Sequence, residues 1–398
     1  MVGITIEKRV AIVTGANAGV GYAIVQRLVQ DSPFPLIVIL ACRNKSRAQE
    51  ALESLEKYFD DLQKKLLRSK TKQGFYHPEL KIELVDVGSV SSVLAFNQRI
   101  RNQYAKVDYL FCNAGILPSV GLMWSKLILD VFRAPKDVAT RSDVLIQPKQ
   151  HLTEDGIGNV LACNVFGHYL MIKGLEDQLS KTEEDPGRVI WTSSMTGEKK
   201  SFRIEDWQGL NAEQPYESSK WVTDLLAIRL NEIWGGADNN TASGTSSGAE
   251  SINNKEDTFS TRRVTRSASK ATLSSSNNIT NTKKNIISIT THPGVVASGI
   301  GGLAAWIITI RIWFHYVFRL CGEKNQTITA YHGANANIYA ALKQPVEKLD
   351  YRSKYGSRIR PLGSERLAVE KVIEYEEYQA IFVVDELEKL RTSFVASS

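Results

Sequence analysis

Tyr216 and Lys220 stand four residues apart in PYESSK (215–220), the spacing that puts two side chains on one face of a helix. Pro215 suits the first helical position, and the WVTDLLAIRL that follows carries apolar residues at helical intervals. A phenol beside an ammonium ionises more readily, because the positive charge favours the phenolate. Such a pair can donate a proton to a ketone or accept one from an alcohol. A tyrosine at its ordinary pKa of ~10 is a poor acid–base partner near neutrality, so this chemistry needs the lysine. The same pattern also fits an ordinary helix with an interfacial Tyr and a solvated Lys, and the elements around it have to decide.

A second cluster of chemistry-bearing residues lies near the start. The apolar run RVAIVTG (9–15) leads into Thr14-Gly15-Ala16-Asn17-Ala18-Gly19-Val20-Gly21 and then into a helical pattern. Glycines there let the backbone turn tightly and approach a pyrophosphate, which the N-terminus of the following helix stabilises. The spacing is GxxxGxG rather than GxGxxG, and its place between a strand and a helix gives it its weight. The next apolar run ends Ala41-Cys42-Arg43-Asn44-Lys45, with two cations where an NAD site carries an acid. Arg43, with Lys45 beside it, suits the 2′-phosphate of NADP(H) through charge-assisted hydrogen bonds.

The elements that must position these groups follow the same logic. Short apolar runs at 9–15, 35–43, 81–87, 107–115, 187–194 and 285–294 alternate with helical patterns. That alternation predicts an α/β fold, a doubly wound parallel sheet of Rossmann type in one domain with insertions. Residues 235–285 are rich in Ser, Asn, Thr and Gly and nearly free of aromatics, which predicts a disordered surface insertion. The basic cluster Arg262, Arg263, Arg266 and Lys270 inside it reads as a docking or phosphorylation segment or as part of a tolerated loop. Residues 346–398 form a C-terminal extension. With 43% hydrophobic and 23% charged residues the composition is that of a globular protein, and a net charge of +6 over 398 residues does not argue for nucleic acid. Cys42, Cys112, Cys163 and Cys321 have no metal spacing and read as thiols in a reducing compartment; with a strand expected almost at once, the expectation is that there is no cleavable leader.

The glycine loop, Asn113-Ala114-Gly115, Ser193-Ser194 and YxxxK, in that order, resemble the short-chain dehydrogenase/reductase family over most of residues 8–345. The resemblance implies that Ser194 polarises a carbonyl, that Tyr216 transfers the proton, and that Lys220 lowers the tyrosine pKa and holds the nicotinamide ribose. It makes Asn164, in Cys163-Asn164-Val165-Phe166-Gly167-His168, the member of a proton relay through water. It assigns Asp86 and the turn Asn113-Ala114-Gly115 to the adenine side of the cofactor, and Pro293-Gly294-Val295 to the nicotinamide side. Two stretches are longer than the family's usual pattern: the run between Ser194 and Tyr216, and residues 117–158. Both fall where the family builds its substrate mouth. The wording VIWTSS…PYESSK and NVFGHYLMIKGLEDQL is similar to the fungal 3-ketosteroid reductases of ergosterol synthesis. That likeness implies reduction of a sterol 3-ketone with NADPH during C-4 demethylation. It also implies the cytosolic face of the endoplasmic reticulum and lipid droplets, and partnership with the other C-4 demethylation enzymes and their scaffold. The motifs alone are equally those of a reductase for another lipophilic carbonyl, such as a retinoid or xenobiotic, and a scaffolding role is the reading from a different class.

Residues 303–322, LAAWIITIRIWFHYVFRLCG, approach the length of a membrane span, yet Arg311 at the middle costs ~2.5–3.5 kcal/mol or more there. On a helix Arg311, His315 and Arg319 form one basic stripe, with Leu303, Trp306, Ile307, Ile310, Trp313, Phe314, Val317 and Phe318 filling much of the remainder. The expectation is an amphipathic helix that lies on a membrane surface, covers the substrate pocket, or does both.

Overall fold

The structure is a computed structural model, and it describes residues 7–68, 75–123, 125, 133, 145–235, 283–297 and 305–396. Strands β1 (Arg9–Thr14), β2 (Leu36–Cys42), β3 (Glu79–Leu84) and β4 (Tyr109–Cys112) come from the first third of the chain. A two-stranded antiparallel ribbon, β5 (Gly121–Leu122) and β6 (Leu145–Ile146), stands apart from the sheet. Strands β7 (Gly187–Thr192), β8 (Ile286–His292), β9 (Ser353–Ile359) and β10 (Glu365–Lys371) complete it. The eight strands of the sheet run in the order β3-β2-β1-β4-β7-β8-β9-β10, and all neighbours are parallel except β9 and β10. This bears out the doubly wound α/β reading.

Helices cover both faces, which is why β1, β2 and β8 are buried along nearly their whole length. On one face α1 (Gly19–Asp31) and α2 (Lys45–Arg68) bury Ile24, Leu28, Leu55 and Phe59 against Val13, Val38 and Leu40. On the other, α3 (Val90–Gln103), α4 (Gly167–Gly174) and α5 (Pro215–Trp234) bury Phe96, Leu170, Leu225 and Trp234 against Ile12, Leu110 and Trp191.

The sequence reading stops at six strands. The C-terminal segment adds β9 and its antiparallel partner β10 to the sheet edge, with Thr290, Thr291 and His292 in register with Lys354, Tyr355 and Gly356. Strand β9, SKYGSRI, carries no apolar run, yet Lys354 and Ser357 are buried because their polar atoms find partners inside the fold. The last helix described here, Glu377–Val395, returns Ala380, Val383 and Leu387 to the core beside α5. The Ser/Asn-rich insertion lies outside the described residues over 236–282, as do much of the long 117–158 stretch and residues 303–304.

Candidate active site

The strand order reverses between β1 and β4, and in such sheets ligands bind in the crevice outside the strand carboxyl ends at that point. Thr14, the last residue of β1, ties the two strands together. Its hydroxyl donates to the Phe111 carbonyl (3.0 Å) and accepts from the N–H groups of Asn113 and Ala114 (both 2.9 Å). The Asn113 side chain donates back to the Thr14 carbonyl at 3.0 Å. The Gly15–Gly21 loop is therefore anchored to the 113–115 turn before any ligand arrives. Gly15 and Gly19 take left-handed φ values of 67° and 55°. At Gly21 an added Cβ would lie 2.3 Å from the Gly15 carbonyl oxygen and 2.6 Å from Asn113 Nδ2. Helix α1 starts at Gly19 with no side-chain cap and no acid in its first turn, so its leading N–H groups keep their capacity to hold an anion. Ala16 and Asn17 direct backbone N–H groups at the buried Cys42 thiol, which burial pushes up to about 11. Val20, the second residue of α1, is partly buried. These features fit a dinucleotide pyrophosphate.

At the outer end of the crevice Arg43 faces Asp86, with 3.7 Å between guanidinium and carboxylate. Arg43 is 73% exposed, and Lys45 beside it, the first residue of α2, is exposed too. Asp86 accepts the Gly88 N–H at 2.9 Å, which fixes the turn into α3. The fold thus brings Arg43 and Asp86 together, two residues that the sequence linked to cofactor contacts separately.

Deeper in, Asn164 sits in a π-helical turn, Ala162–Phe166, that leads into α4. Such one-turn widenings reorient a side chain that a regular helix would direct elsewhere. Its carboxamide accepts the Ile116 N–H (2.7 Å) and donates to the Ile116 carbonyl (3.1 Å) and to Ser219 Oγ (3.0 Å). A Cβ on Gly115 would lie 2.8 Å from Asn164 Oδ1, so only glycine lets the 113–115 turn come this close. Ser194 follows β7, and its hydroxyl accepts the Thr196 N–H at 3.1 Å. Tyr216 and Lys220 lie one turn apart at the start of α5, with the ammonium 5.5 Å from the phenol ring centroid. Gln147 fixes the helix start: it accepts the Tyr216 N–H (2.9 Å) and donates to Glu217 (2.8 Å).

The electrostatics differ from the simple picture of a phenol and an ammonium side by side. Burial, and then the Glu217 carboxylate, hold the Tyr216 phenol above its ordinary range, while hydrogen bonding with Ser194 pulls the other way. Lys220 donates to the Thr192 carbonyl at 2.8 Å. Burial lowers its ammonium to about 8; Asp224 opposes that shift, Lys354 adds to it, and Cys112 opposes it. In this state the phenol is protonated and lies beside a cation.

The Pro293-Gly294-Val295 turn leaves β8 on the same side of the sheet. Thr327 clamps it with hydrogen bonds to the Pro293 and Val295 carbonyls at 2.8 and 3.0 Å. Gly294 has φ 69°, and a Cβ there would meet the Asn325 carbonyl oxygen at 2.7 Å. The sequence reading missed Thr14, Gln147, Ser219, Thr327, Asp224 and Lys354. Thr14 and Ser219 adjoin motif residues, but their partners lie about fifty to a hundred residues away, a separation that local pattern does not carry. The run between Ser194 and Tyr216 packs against the long 117–158 stretch: Gln208 accepts the Gly158 N–H, and Leu210 accepts the Gln150 N–H, both at 2.8 Å. A small recess between them is lined by Pro118, Pro148, His151, Leu210 and Pro215, just outside Tyr216.

Helix α6 (Ala305–Leu320) has a definite orientation. His315, on the expected basic stripe, is 1% exposed, whereas Trp313 is 72% and Leu320 68% exposed, with Phe314, Tyr316 and Val317 also outward. The side chains of Trp306, Ile307, Ile310 and Arg311 lie outside the described set. Trp313, Phe314 and Tyr316 face solvent. Leu362, 97% exposed at the tip of the β9–β10 hairpin, lies nearby, since Gly363 approaches the Arg319 guanidinium and Ile359 donates to the Lys324 carbonyl. Among the described residues no helix is long and apolar enough to cross a membrane. All four cysteines are free, three of them buried.

The sequence model of the family described as short chain dehydrogenase matches residues 9–230, more than half of the chain and the stretch from β1 through α5. The chain belongs to that family of oxidoreductases. Among similar proteins is the 3-keto-steroid reductase/17-beta-hydroxysteroid dehydrogenase 7 of Homo sapiens, 32% identical over 56% of this chain and 61% of that protein. Its Rattus norvegicus counterpart is 27% identical over 92% of this chain and 90% of its own length. The 3-keto-steroid reductase of Schizosaccharomyces pombe is 31% identical over 55% of this chain and 62% of that protein. The chain thus matches about three fifths of the human and S. pombe proteins. Of solved structures, the NADPH-bound carbonyl reductase from chicken fatty liver covers 88% of this chain and 96% of its own, at 17% identity and a TM-score of 0.46.

Proposed function

We propose that this protein is an NADPH-dependent reductase of the 3-keto group of sterol intermediates, acting during C-4 demethylation in ergosterol-type synthesis. The observation that carries the reading is the convergence of Ser194, Tyr216, Lys220 and Asn164 beside a glycine cradle whose outer end presents Arg43. The names of the similar proteins supply the substrate class. Arg43 and Lys45 take the 2′-phosphate, Asp86 and the 113–115 turn the adenine side, and Lys220 with 293–295 the nicotinamide side. Bound NADPH supplies the hydride. Tyr216 gives its proton to the developing alkoxide, and Ser194 stabilises that oxygen, a role worth about two to three orders of magnitude for one well-placed donor. Lys220 keeps positive charge beside the phenol, and Asn164 passes the replacement proton inward through water.

The reading extends to location. The outward apolar residues of α6 and the nearby Leu362 tip are exposed, as are the basic residues Lys324 and Arg360, a combination that suits an anionic lipid surface. The protein accordingly works as a peripheral protein on the cytosolic face of the endoplasmic reticulum and on lipid droplets, where its sterol substrate and the other C-4 demethylation enzymes reside. The test is purified protein with NADPH and a panel of 3-ketosteroids, retinals and simple ketones, followed at the nicotinamide absorbance. Oxidation of NADPH with the 3-ketosteroids, abolished by Tyr216→Phe with NADPH binding intact, is expected. Turnover confined to retinals or simple ketones would reject the sterol assignment, and a fully active Tyr216→Phe variant the mechanism.

A further inference from the structure

Beneath Lys220 lies a second lysine that the reaction scheme does not use. Asp224 is one turn further along α5, on the face that carries Lys220, and is fully buried. It forms an ion pair with Lys354, which enters from β9 and is itself almost entirely buried. The Lys354 ammonium also donates to the Ser194 carbonyl at 2.8 Å. Lys220 donates to the Thr192 carbonyl at the same distance. Two ammonium groups thus hold alternate carbonyls of one short run, and between them the Ser193 hydroxyl donates to the Lys220 carbonyl at 3.3 Å.

We propose that Lys354 and Asp224 are a positioning pair that fixes the backbone of Ser194 and sets the charge around Lys220. The proposal rests on the reductase reading above. A buried ion pair gains little net stability, because desolvation offsets the attraction, so stability alone is a weak reason for this arrangement. Its reach is specific: one end holds the residue that binds the carbonyl oxygen, and the other lies under the catalytic lysine. The charged and titratable groups facing Lys220 are Asp224 from its own helix, Lys354 from β9, Cys112 from β4, His168 from α4 and the Tyr216 ring. Asp224 favours the charged Lys220, and Lys354 disfavours it. Removing one partner or the other therefore moves the titration of Lys220 in opposite directions, which a purely structural pair would not do.

The experiment compares wild type, Asp224→Asn, Lys354→Met and the neutral double variant from pH 6 to 10, with any ketone that the wild type reduces. Both single variants should lose kcat by about tenfold to a hundredfold, as for a misplaced oxyanion donor, with KM for the ketone little changed. The alkaline limb of the profile should move down by about one pH unit in Asp224→Asn and up in Lys354→Met. NADPH binding followed by nicotinamide fluorescence over the same range reads Lys220 without turnover, so it decides the matter even if the wild type reduces none of the ketones. Limbs or binding profiles that stay put, or move the same way in both variants, would overturn the proposal. Where a single variant fails to fold, the double variant decides: it leaves no unpaired buried charge and its two opposite shifts on Lys220 offset, so wild-type kcat in it, or an NADPH-binding profile displaced by about a full pH unit or more, would also reject the pair. Failure of the sterol reading shows separately, in the wild type's response to 3-ketosteroids.

Discussion

His168 offers a quantitative test of how the site is built. It follows the π-helical turn that carries Asn164, is fully buried, and meets the Thr14 hydroxyl through Nε2 at 2.9 Å. Burial, then the Lys220 ammonium, lower its pKa to about 3. An unfolded histidine titrates near ~6.5, so between those values the unfolded chain binds a proton that the folded protein refuses. Stability therefore falls as pH drops through 6.5, and the loss continues towards 3. Linkage gives a proton-linked penalty of about 0.2 kcal/mol at pH 7 and about 2 kcal/mol at pH 5 from this one group. In His168→Gln, which keeps a hydrogen-bonding side chain beside Thr14, that pH dependence disappears. Urea denaturation of both proteins at pH 7 and pH 5 should show the wild type losing about 1.8 kcal/mol more than the variant. His292, also buried with a lowered pKa, contributes equally to both proteins. Glu365 and Glu370, held at about 2 in the folded state, lose their contribution only as pH falls below the unfolded carboxylate range. Equal losses in the two proteins would refute the argument, because they would mean that His168 accepts a proton in the folded state.

Gly21→Ala forces a Cβ against the Gly15 carbonyl and Asn113, so NADPH affinity should fall by about tenfold or more, some 1.4 kcal/mol, in a fluorescence titration; unchanged affinity would mean that the cradle does not hold the pyrophosphate. Arg43→Asp removes a charge-assisted contact worth about 1.5–3 kcal/mol, and the ratio of NADPH to NADH affinity should fall by one to two orders of magnitude. A constant ratio would move the 2′-phosphate contact to Lys45. Replacing Trp313, Phe314 and Leu320 with serine touches side chains already in solvent, so folding should persist while binding to anionic liposomes weakens by about tenfold or more. A liposome-binding curve that does not move would reject the membrane face.

The alternation of apolar runs and helices, the glycine loop between β1 and α1, and the i, i+4 pair Tyr216 and Lys220 are local patterns, and local pattern was enough to predict the doubly wound parallel sheet up to β8 and to place Tyr216 and Lys220 one turn apart on a helix. Periodicity records which face of an element meets the core. It does not record what a buried polar atom meets. Lys354 and Ser357 make β9 look like a surface loop, because their partners, Ser194, Asp224 and Gly333, are remote in the chain. The basic stripe of α6 was legible by spacing, but its direction was not: packing turns His315 inward and leaves Trp313 and Leu320 in solvent. The spacing of Tyr216 and Lys220 suggested an easily ionised phenol. Only the tertiary structure decided that burial and Glu217 hold the phenol protonated while Lys220 is turned to the Thr192 carbonyl, because desolvation depends on every element packed around the pair.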